Sequence, residues 1–412
     1  MRIYTISPEQ FLEFASSHPL NSYMQTQKYA LVMADNGYDY EYIGYGDGNT
    51  LVAAALILSK TITGKSRYGY APKGILIDYY NEALVKEFLN ALKEYYEPQE
   101  YVFIKFNPEI IIGTTDKAHK FVMTYNGNVK IIDELTNFGV KRRKELKEFD
   151  LMQPRYNAYI DLKTFDIKKI DRECRKKVRK TIKQGMSLIT GDVKDIDKLY
   201  PMLKTKRTAN YYKTFYNVFD KDKSIDLVLV QMDFESRLES IKKLYEQEQL
   251  KNESLNSIIQ SDPSPNNLTR KMASDRLLEN IKNNILLATE SLKKNKTAIV
   301  GGAIIVKHYN RISVITSGYS EEYKKYNPNY FLYCAIIERY KPYFSYLDMG
   351  GMTGKFDSST MYKGLDEFKM KWNPIVFEFI GEFDYIVNEG LFSRLIKTSF
   401  IEDEFNQHPD YK

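Results

Sequence analysis

Apolar positions change their spacing repeatedly along the first 150 residues, and each change marks a new element. Pro8 to Ser16 has the pattern of a short capped helix, and Tyr40 to Gly46 and Leu51 to Lys60 have that of strands. Asn81 to Tyr96 is amphipathic at helical spacing, and Tyr101 to Asn107 is a continuous apolar run of buried-strand length. Helix and strand patterns in alternation predict an α/β unit.

A comparable passage starts at the strand Tyr156 to Leu162. A strongly basic helix follows from about Lys168 to Gln184, with Gly185 placed to cap its C-terminus. Strand patterns recur at Leu227 to Met232, Ala298 to Lys307, Ile312 to Gly318 and Val376 to Gly381, with a helix over Pro328 to Tyr340. Two copies of one α/β unit account for this order, although similarity between the halves is too weak to make it an observed repeat.

Between Phe234 and Thr297 glycine disappears and Glu, Lys, Asn, Leu and Ile dominate, interrupted at Ser261 to Asn267 by two prolines. The pattern predicts two long helices joined by a turn. Leu278, Ile281, Ile285, Ala288 and Leu292 form a heptad seam on the return helix, while the outgoing helix offers Leu238, Ile241 and Tyr245 before the pattern weakens at Glu248. An antiparallel coiled-coil arm is the expectation, and a helical hairpin packed on the core is the plain alternative.

A chain of 412 residues exceeds one ordinary core, so two or more subdomains are expected. Lys plus Arg number 60 against 54 for Asp plus Glu, so attraction to nucleic acid or membrane has to come from local patches. Cys174 and Cys334 are the only cysteines, which fits a reducing compartment rather than a disulfide scaffold. The first residues lack a cationic segment followed by an apolar one, and no run reaches the ~18 apolar residues of a membrane span. A cytoplasmic protein without an integral anchor is therefore expected. His18, His119, His308 and His408 are isolated, so no metal site is expected, and no nucleophile elbow, Walker loop or dinucleotide fingerprint is present. The Gly-rich pyrophosphate loop of an acyl-CoA acetyltransferase is also missing.

The most telling stretch is Gly364 through Asn373 and Pro374, continuing through Phe379, Gly381, Glu382 and Asp384. It sets Lys369 between a turn and an apolar strand, a place suited to neutralising an anion. The spacing resembles the signature of the Fem-type transferases (FemA, FemX and MurM), which move amino acids from tRNA onto peptidoglycan precursors. Four other segments resemble landmarks of that family. Tyr70 to Asp78 is similar to its early strand and turn, Phe103 to Glu109 to its "F-D-P" strand end, Tyr346 to Gly351 to its "D-x-G-G" turn, and Tyr326 to Tyr330 to the start of the preceding helix.

The resemblance implies two acetyltransferase-like (GNAT-like) subdomains with an inserted coiled-coil arm, an α/β (α+β) fold. Residues 1–150, completed by about 382–412, would form the first subdomain; 151–233 with 298–381 the second; and 234–297 the arm. It implies an enzyme that passes an amino acid from aminoacyl-tRNA to an amine of lipid-linked peptidoglycan precursor (lipid II). No cofactor is expected, and the work would be done in the cytoplasm at the inner face of the plasma membrane. A homodimer or a related Fem-type partner stays open, as does an inactive scaffold acting through the arm.

Lys369, with Phe368 before it, is the implied catalytic pair. Arg207, Lys213, Tyr212 and Tyr216 look like the place where the family binds its precursor, and the same tyrosines are equally consistent with helix packing. Lys73 and Asn107 belong to the early landmarks; Asn107 stands where some members have Asp, putting a carboxylate base there in doubt, and Glu109 is expected to face elsewhere. Lys28 is a substitute for a phosphate-binding lysine that some relatives carry where this chain has Leu31. Within the basic helix, Arg175, Lys176, Arg179 and Lys180 are expected to contact tRNA phosphates; the anionic membrane surface with the pyrophosphate of a lipid-linked precursor is an equally open functional reading, and a solvated face is the plain alternative.

Overall fold

The computed structural model describes residues 1–48, 50–118, 120–144, 149, 151–356 and 361–396. The segments expected at 397–412, and His119 and His408, lie wholly or partly outside the described residues.

In chain order the strands of the N-terminal half are β1 (Arg2–Thr5), β2 (Asp39–Gly46), β3 (Leu51–Thr63), β4 (Ser66–Ala71), β5 (Leu76–Ile77), β6 (Tyr101–Phe106), β7 (Ile111–Thr115), β8 (Thr124–Tyr125) and β9 (Val140–Arg142). Between them run α1 (Pro8–Ser17), α2 (Gln27–Asp35), α3 (Glu82–Tyr96) and α4 (Lys130–Asn137). Then come β10 (Tyr156–Asp161), α5 (Arg172–Thr181), β11 (Met186–Gly191), α6 (Ile196–Leu199), α7 (Ala209–Asp220) and β12 (Ile225–Asp233). The long helices α8 (Phe234–Ser261) and α9 (Pro265–Lys294) lead to β13 (Thr297–His308), β14 (Arg311–Tyr319), α10 (Pro328–Tyr340) and β15 (Tyr346–Met352). The chain closes with α11 (Lys363–Met370), β16 (Ile375–Phe379), β17 (Phe383–Ile386) and α12 (Glu389–Ile396).

Two sheets result. The first runs β1-β2-β3-β4-β6-β17-β9, with β5 beside β3, and the second runs β11-β12-β13-β14-β15-β10-β16-β7-β8. Strand alternation divides their side chains among three cores. On β3, Ala53, Ala55 and Ile57 pack outward with Phe88 and Leu92 of α3, while Ala54, Leu56 and Leu58 pack inward with Phe11 and Val32 of α1 and α2. On β12, Leu227 and Leu229 join that same inner core through Phe215 and Phe219 of α7, and Val228 and Val230 pack with Cys174 of α5 and Ile336 of α10. The layers are therefore helix, sheet, shared helices, sheet, helix. The middle layer binds the halves into one body.

Strands also cross the division at residue 150. β7 pairs with β16 and β8 with β7, extending the second sheet, whereas β17 enters the first sheet between β6 and β9. At that insertion Lys105, fully buried, donates to Glu382 at 2.7 Å and Asp384 at 2.6 Å. The second Glu382 oxygen accepts the Met152 amide at 2.8 Å. One buried cation thus ties β6, β17 and the 151–154 segment together.

The basic helix is shorter than its charge run. Asp171 accepts the amides of Glu173 at 2.8 Å and Cys174 at 3.1 Å, satisfying the first free donors and setting the start at Arg172. Gly185 is not adjacent to the helix end; its φ of +65° lets the chain approach Asp233, whose carbonyl would sit 2.5 Å from an added Cβ.

Helices α8 and α9 pack along each other for about 42 Å, taking 28 residues at 1.5 Å each. Ile241, Ile281 and Ala288 make a small apolar core near the base, flanked by Leu238 and Ile285. Beyond it the seam turns polar. Glu248 is buried and accepts from Ser274 at 2.6 Å, and Asn252 donates to Ser274 at 3.0 Å. The apolar pattern weakens at Glu248 because hydrogen bonds replace it there.

Replacing Lys105 with Met leaves Glu382 and Asp384 buried without their central cation. Lys105→Met is expected to lose about 3–5 kcal/mol of stability in denaturant unfolding; a loss below ~1 kcal/mol would refute the tie described above.

Candidate active site

A cleft of about 340 Å³ opens where the sheets meet the shared helices. First-sheet elements supply Lys73 from the turn after β4 and Glu109 from the exit of β6. The second sheet supplies Asn157 on β10, Arg311 on β14, and Asp348, Gly350 and Gly351 on β15. Arg207, Tyr211 and Tyr212 close it from the α7 side, and Gln153 and Pro154 from the segment held by Glu382.

Charged groups form a chain across this cleft. Arg311 donates to Glu109 at 3.0 Å and to the Tyr159 hydroxyl at 3.0 Å, and that hydroxyl donates to Asp348 at 3.2 Å. Lys73 lies 3.6 Å from the other Glu109 oxygen and 4.6 Å from the centre of the Phe379 ring. Burial would raise the Glu109 carboxyl, but Arg311 and Lys73 together bring it below its ordinary value. Burial lowers Lys73, against the pull of Glu109. Burial would lower Arg311 too, yet Glu109, Tyr159 and Asp348 raise it above the usual arginine range.

Asp348 is a receiver of hydrogen bonds. It accepts the Gly350 amide at 2.8 Å and the Asn157 side chain at 3.2 Å besides Tyr159. This folds the β15 backbone so that Gly350 reaches φ +81°, which favours glycine. Beneath it the Lys369 ammonium donates to the Gly351 carbonyl at 2.6 Å. A Cβ on Gly350 would lie 3.6 Å from that nitrogen, so only bare backbone separates the cation from the cleft. Burial depresses the ammonium to about 8, with Asp348 and Asp366 opposing.

Among the lining side chains Lys73, Lys204, Lys206, Arg207 and Arg311 outnumber the carboxylates Glu109 and Asp348. A cleft with that balance suits an anionic ligand such as a phosphate. Glu109 and Arg311 also line a second cavity of about 760 Å³ on the side of His18, His308, Tyr309 and Tyr343. Their ion pair is a wall common to both spaces. No group of three or more His, Cys, Asp or Glu able to hold a metal ion occurs among the described residues.

Residues 6–397 match the FemAB family. The chain is a member of the FemAB family. It is 24% identical to the lipid II:glycine glycyltransferase of Staphylococcus epidermidis, over 97% of this chain and 96% of that protein. It is 23% identical to the aminoacyltransferase FemA of Staphylococcus aureus, over 98% of this chain and 99% of that one. Among solved structures, the crystal structure of FemX superposes with a TM-score of 0.74 at 19% identity, covering 96% of this chain and 100% of that chain.

In this FemAB chain the residues singled out by sequence separate into groups. Lys73, Arg207 and Tyr212 line the cleft. Arg207 stacks 3.9 Å above the Tyr211 ring, and Tyr212 shares a 2.9 Å hydrogen bond with Thr205, which holds the loop before α7. Lys369 lies under the floor in the last turn of α11, not between a turn and a strand, because Trp372 and Asn373 make the turn that follows it. Phe368 packs with Tyr330, Tyr333 and Trp372 in the outer core, away from the cleft lining.

Three others are engaged elsewhere. Lys28 pairs with Asp222 at 2.6 Å where α2 meets α7, Lys213 pairs with Asp197 at 2.7 Å, and Tyr216 is buried with its hydroxyl 3.4 Å from the Gly191 carbonyl. Asn107 is a structural acceptor: its oxygen takes the Lys73 amide at 2.8 Å and the Tyr70 hydroxyl at 3.4 Å, which fixes Lys73 at φ +53°. On α5, Lys176, Arg179 and Lys180 are exposed, while Arg175 is half-buried and donates to the Lys168 carbonyl.

Glu109 corrects the sequence expectation. It faces the cleft, because Pro108 ends the strand and the turn swings the next side chain between Lys73 and Arg311. Arg311 and Asp348 were missed as site residues. Both are charges set in otherwise apolar strands, and that is the signal sequence offers, since such a charge needs a buried partner.

Glu109→Gln leaves Arg311 and Lys73 without their shared carboxylate in a largely buried wall and is expected to cost about 3 kcal/mol near neutral pH. Because the folded carboxyl titrates below its ordinary 4.5, its contribution is present above that value and fades as pH falls through the lower one. The gap between parent and variant in denaturant melts should therefore narrow in acid; a gap independent of pH would contradict the pairing.

Proposed function

We propose that this chain transfers an amino acid from aminoacyl-tRNA to an amine of the stem peptide or growing branch of lipid-linked peptidoglycan precursor, working in the cytoplasm at the inner membrane face. Family membership and the names of the two staphylococcal relatives support aminoacyl transfer in building the peptidoglycan bridge. The observation that carries the finer reading is the cation-rich cleft walled by both halves, with Lys369 beneath its glycine floor. On this reading each sheet with its helices is an acetyltransferase-like subdomain. The α8–α9 pair is an antiparallel coiled-coil arm that, with α5, contacts tRNA.

The chemistry needs little from the protein. The acceptor amine attacks the ester carbonyl, an amide bond forms, the ester C–O bond breaks, and the tRNA hydroxyl leaves with the proton. Glu109 is held ionised by two cations and is a poor base, and the Asp348 oxygens are occupied by three donors, so the proton passes between the substrates themselves. Arg207 and Lys73 anchor precursor phosphates. Lys369 acts as a positioning residue: its charge, one backbone layer away, sets the Gly350–Gly351 floor and favours the tetrahedral oxyanion.

The test combines purified protein, tRNA charged with labelled amino acids and lipid-linked precursor; transfer of none of them would end the proposal. Lys369→Met is expected to slow transfer about a hundredfold near neutral pH. As pH rises through about 8 the parent ammonium discharges, so the parent rate should fall on the alkaline side and the variant should lack that limb. An unchanged profile would remove Lys369 from the mechanism.

Reversing Lys176, Arg179 and Lys180 to Glu on the exposed face of α5 should raise KM for aminoacyl-tRNA about tenfold and flatten its salt dependence. The melting temperature should stay as in the parent. A KM that does not move assigns these cations to solvent.

A further inference from the structure

On the second sheet's side the surface carries apolar side chains that the described residues leave uncovered. Met361 is 91% exposed, Val122 67%, Tyr125 58% and Leu365 40%. They come from two distant stretches, one ending in the edge strand β8 and the other leading into α11. Aromatic contacts bring both stretches to the same side of the second sheet. Phe121 lies 5.8 Å from Phe356, and Tyr362 meets the Phe149 ring edge-on at 4.9 Å. Phe149 in turn covers Gly351, where an added Cβ would come within 3.0 Å of its ring. Tyr362, the chain neighbour of Met361, is thus joined through Phe149 to the floor under which Lys369 sits.

Their neighbours are mostly lysines. Lys117, Lys120, Lys355 and Lys363 are exposed in these stretches, against the single exposed described carboxylate Glu367, which lies 3.8 Å from Lys363. Cores of protein interfaces are depleted in lysine and rich in contiguous apolar area. Here single apolar side chains alternate with long cationic ones, the arrangement that lets hydrocarbon dip into a lipid layer while ammonium groups rise to phosphate headgroups. No described helix is long and apolar enough to cross a membrane.

We infer that this surface docks on an anionic phospholipid bilayer, with Met361 and Val122 entering the headgroup boundary and the four lysines contacting lipid phosphates. It rests on the reading of the acceptor as lipid-linked: docking there turns the Gly351 side of the cleft toward a substrate whose pyrophosphate lies at the membrane plane.

The experiment is co-sedimentation of the full chain with phosphatidylcholine vesicles, with and without phosphatidylglycerol, followed by transfer to a vesicle-borne lipid-linked acceptor and to a water-soluble precursor lacking the lipid. Binding is expected only with phosphatidylglycerol, falling with salt. Met361→Glu combined with Val122→Glu, both at exposed positions, should weaken it about tenfold. The same variant should lose a similar factor on the vesicle-borne acceptor and none on the soluble one. Absence of parent binding, or equal binding by the variant, overturns the inference. So does a parent dimer that the variant splits while vesicle binding persists, which would give the surface to a second copy of the chain. If the parent modifies neither acceptor, the proposed activity fails, and sedimentation still decides the surface.

Discussion

The Glu109–Arg311 ion pair is the constraint around which the site is organised. One partner leaves the exit of β6 in the first half, the other opens β14 of the second, and both are largely shielded from solvent, with side chains 14% and 16% exposed. Taking two charges out of water is costly, and the attraction between them repays it only in good geometry. That requirement fixes the separation of the sheets at the cleft to within the tolerance of a hydrogen bond. Lys73 and Tyr159 extend the same demand to the turn after β4 and to β10, so the groups that face a ligand are held by partners from both halves.

How much of this was legible in the chain follows from what kind of force places each part. The alternation of helix and strand, the two long helices and the seam at Ile281 and Ala288 were readable because periodicity reports local burial directly. Lys73, Arg207 and Tyr212 were found through resemblance. Glu109 was misjudged because a turn after Pro108 redirects it, and a turn's exit angle is decided by what awaits on the far side. Arg311 lies some two hundred positions away, with no local pattern to announce it. Lys28 and Lys213 show the reverse error: their residue types suit phosphate, but nearby Asp222 and Asp197 take them.

Position matters as much as identity for Lys369. A lysine on a surface would titrate in its ordinary range and contribute little; the same ammonium under two glycines is desolvated, directed at a carbonyl and one backbone layer from the cleft. Gly350 is the enabling residue, since a side chain there would thicken the floor. The "D-x-G-G" resemblance thus has a physical content: Asp348 bends the strand, Gly350 adopts the bend, and Gly351 presents the carbonyl.

The strand exchange bears on how such a chain is made. β17 supplies the neighbour that both β6 and β9 need, yet it emerges some 240 residues after β9 is complete. Until then β6 has a bare edge on one side, and Lys105 is without the two carboxylates that make its burial tolerable. The N-terminal half is consequently an unfinished object for most of its synthesis. Neither half is a module that can be borrowed alone, and evolution can alter this protein more easily by swapping loops at the cleft than by recombining its domains.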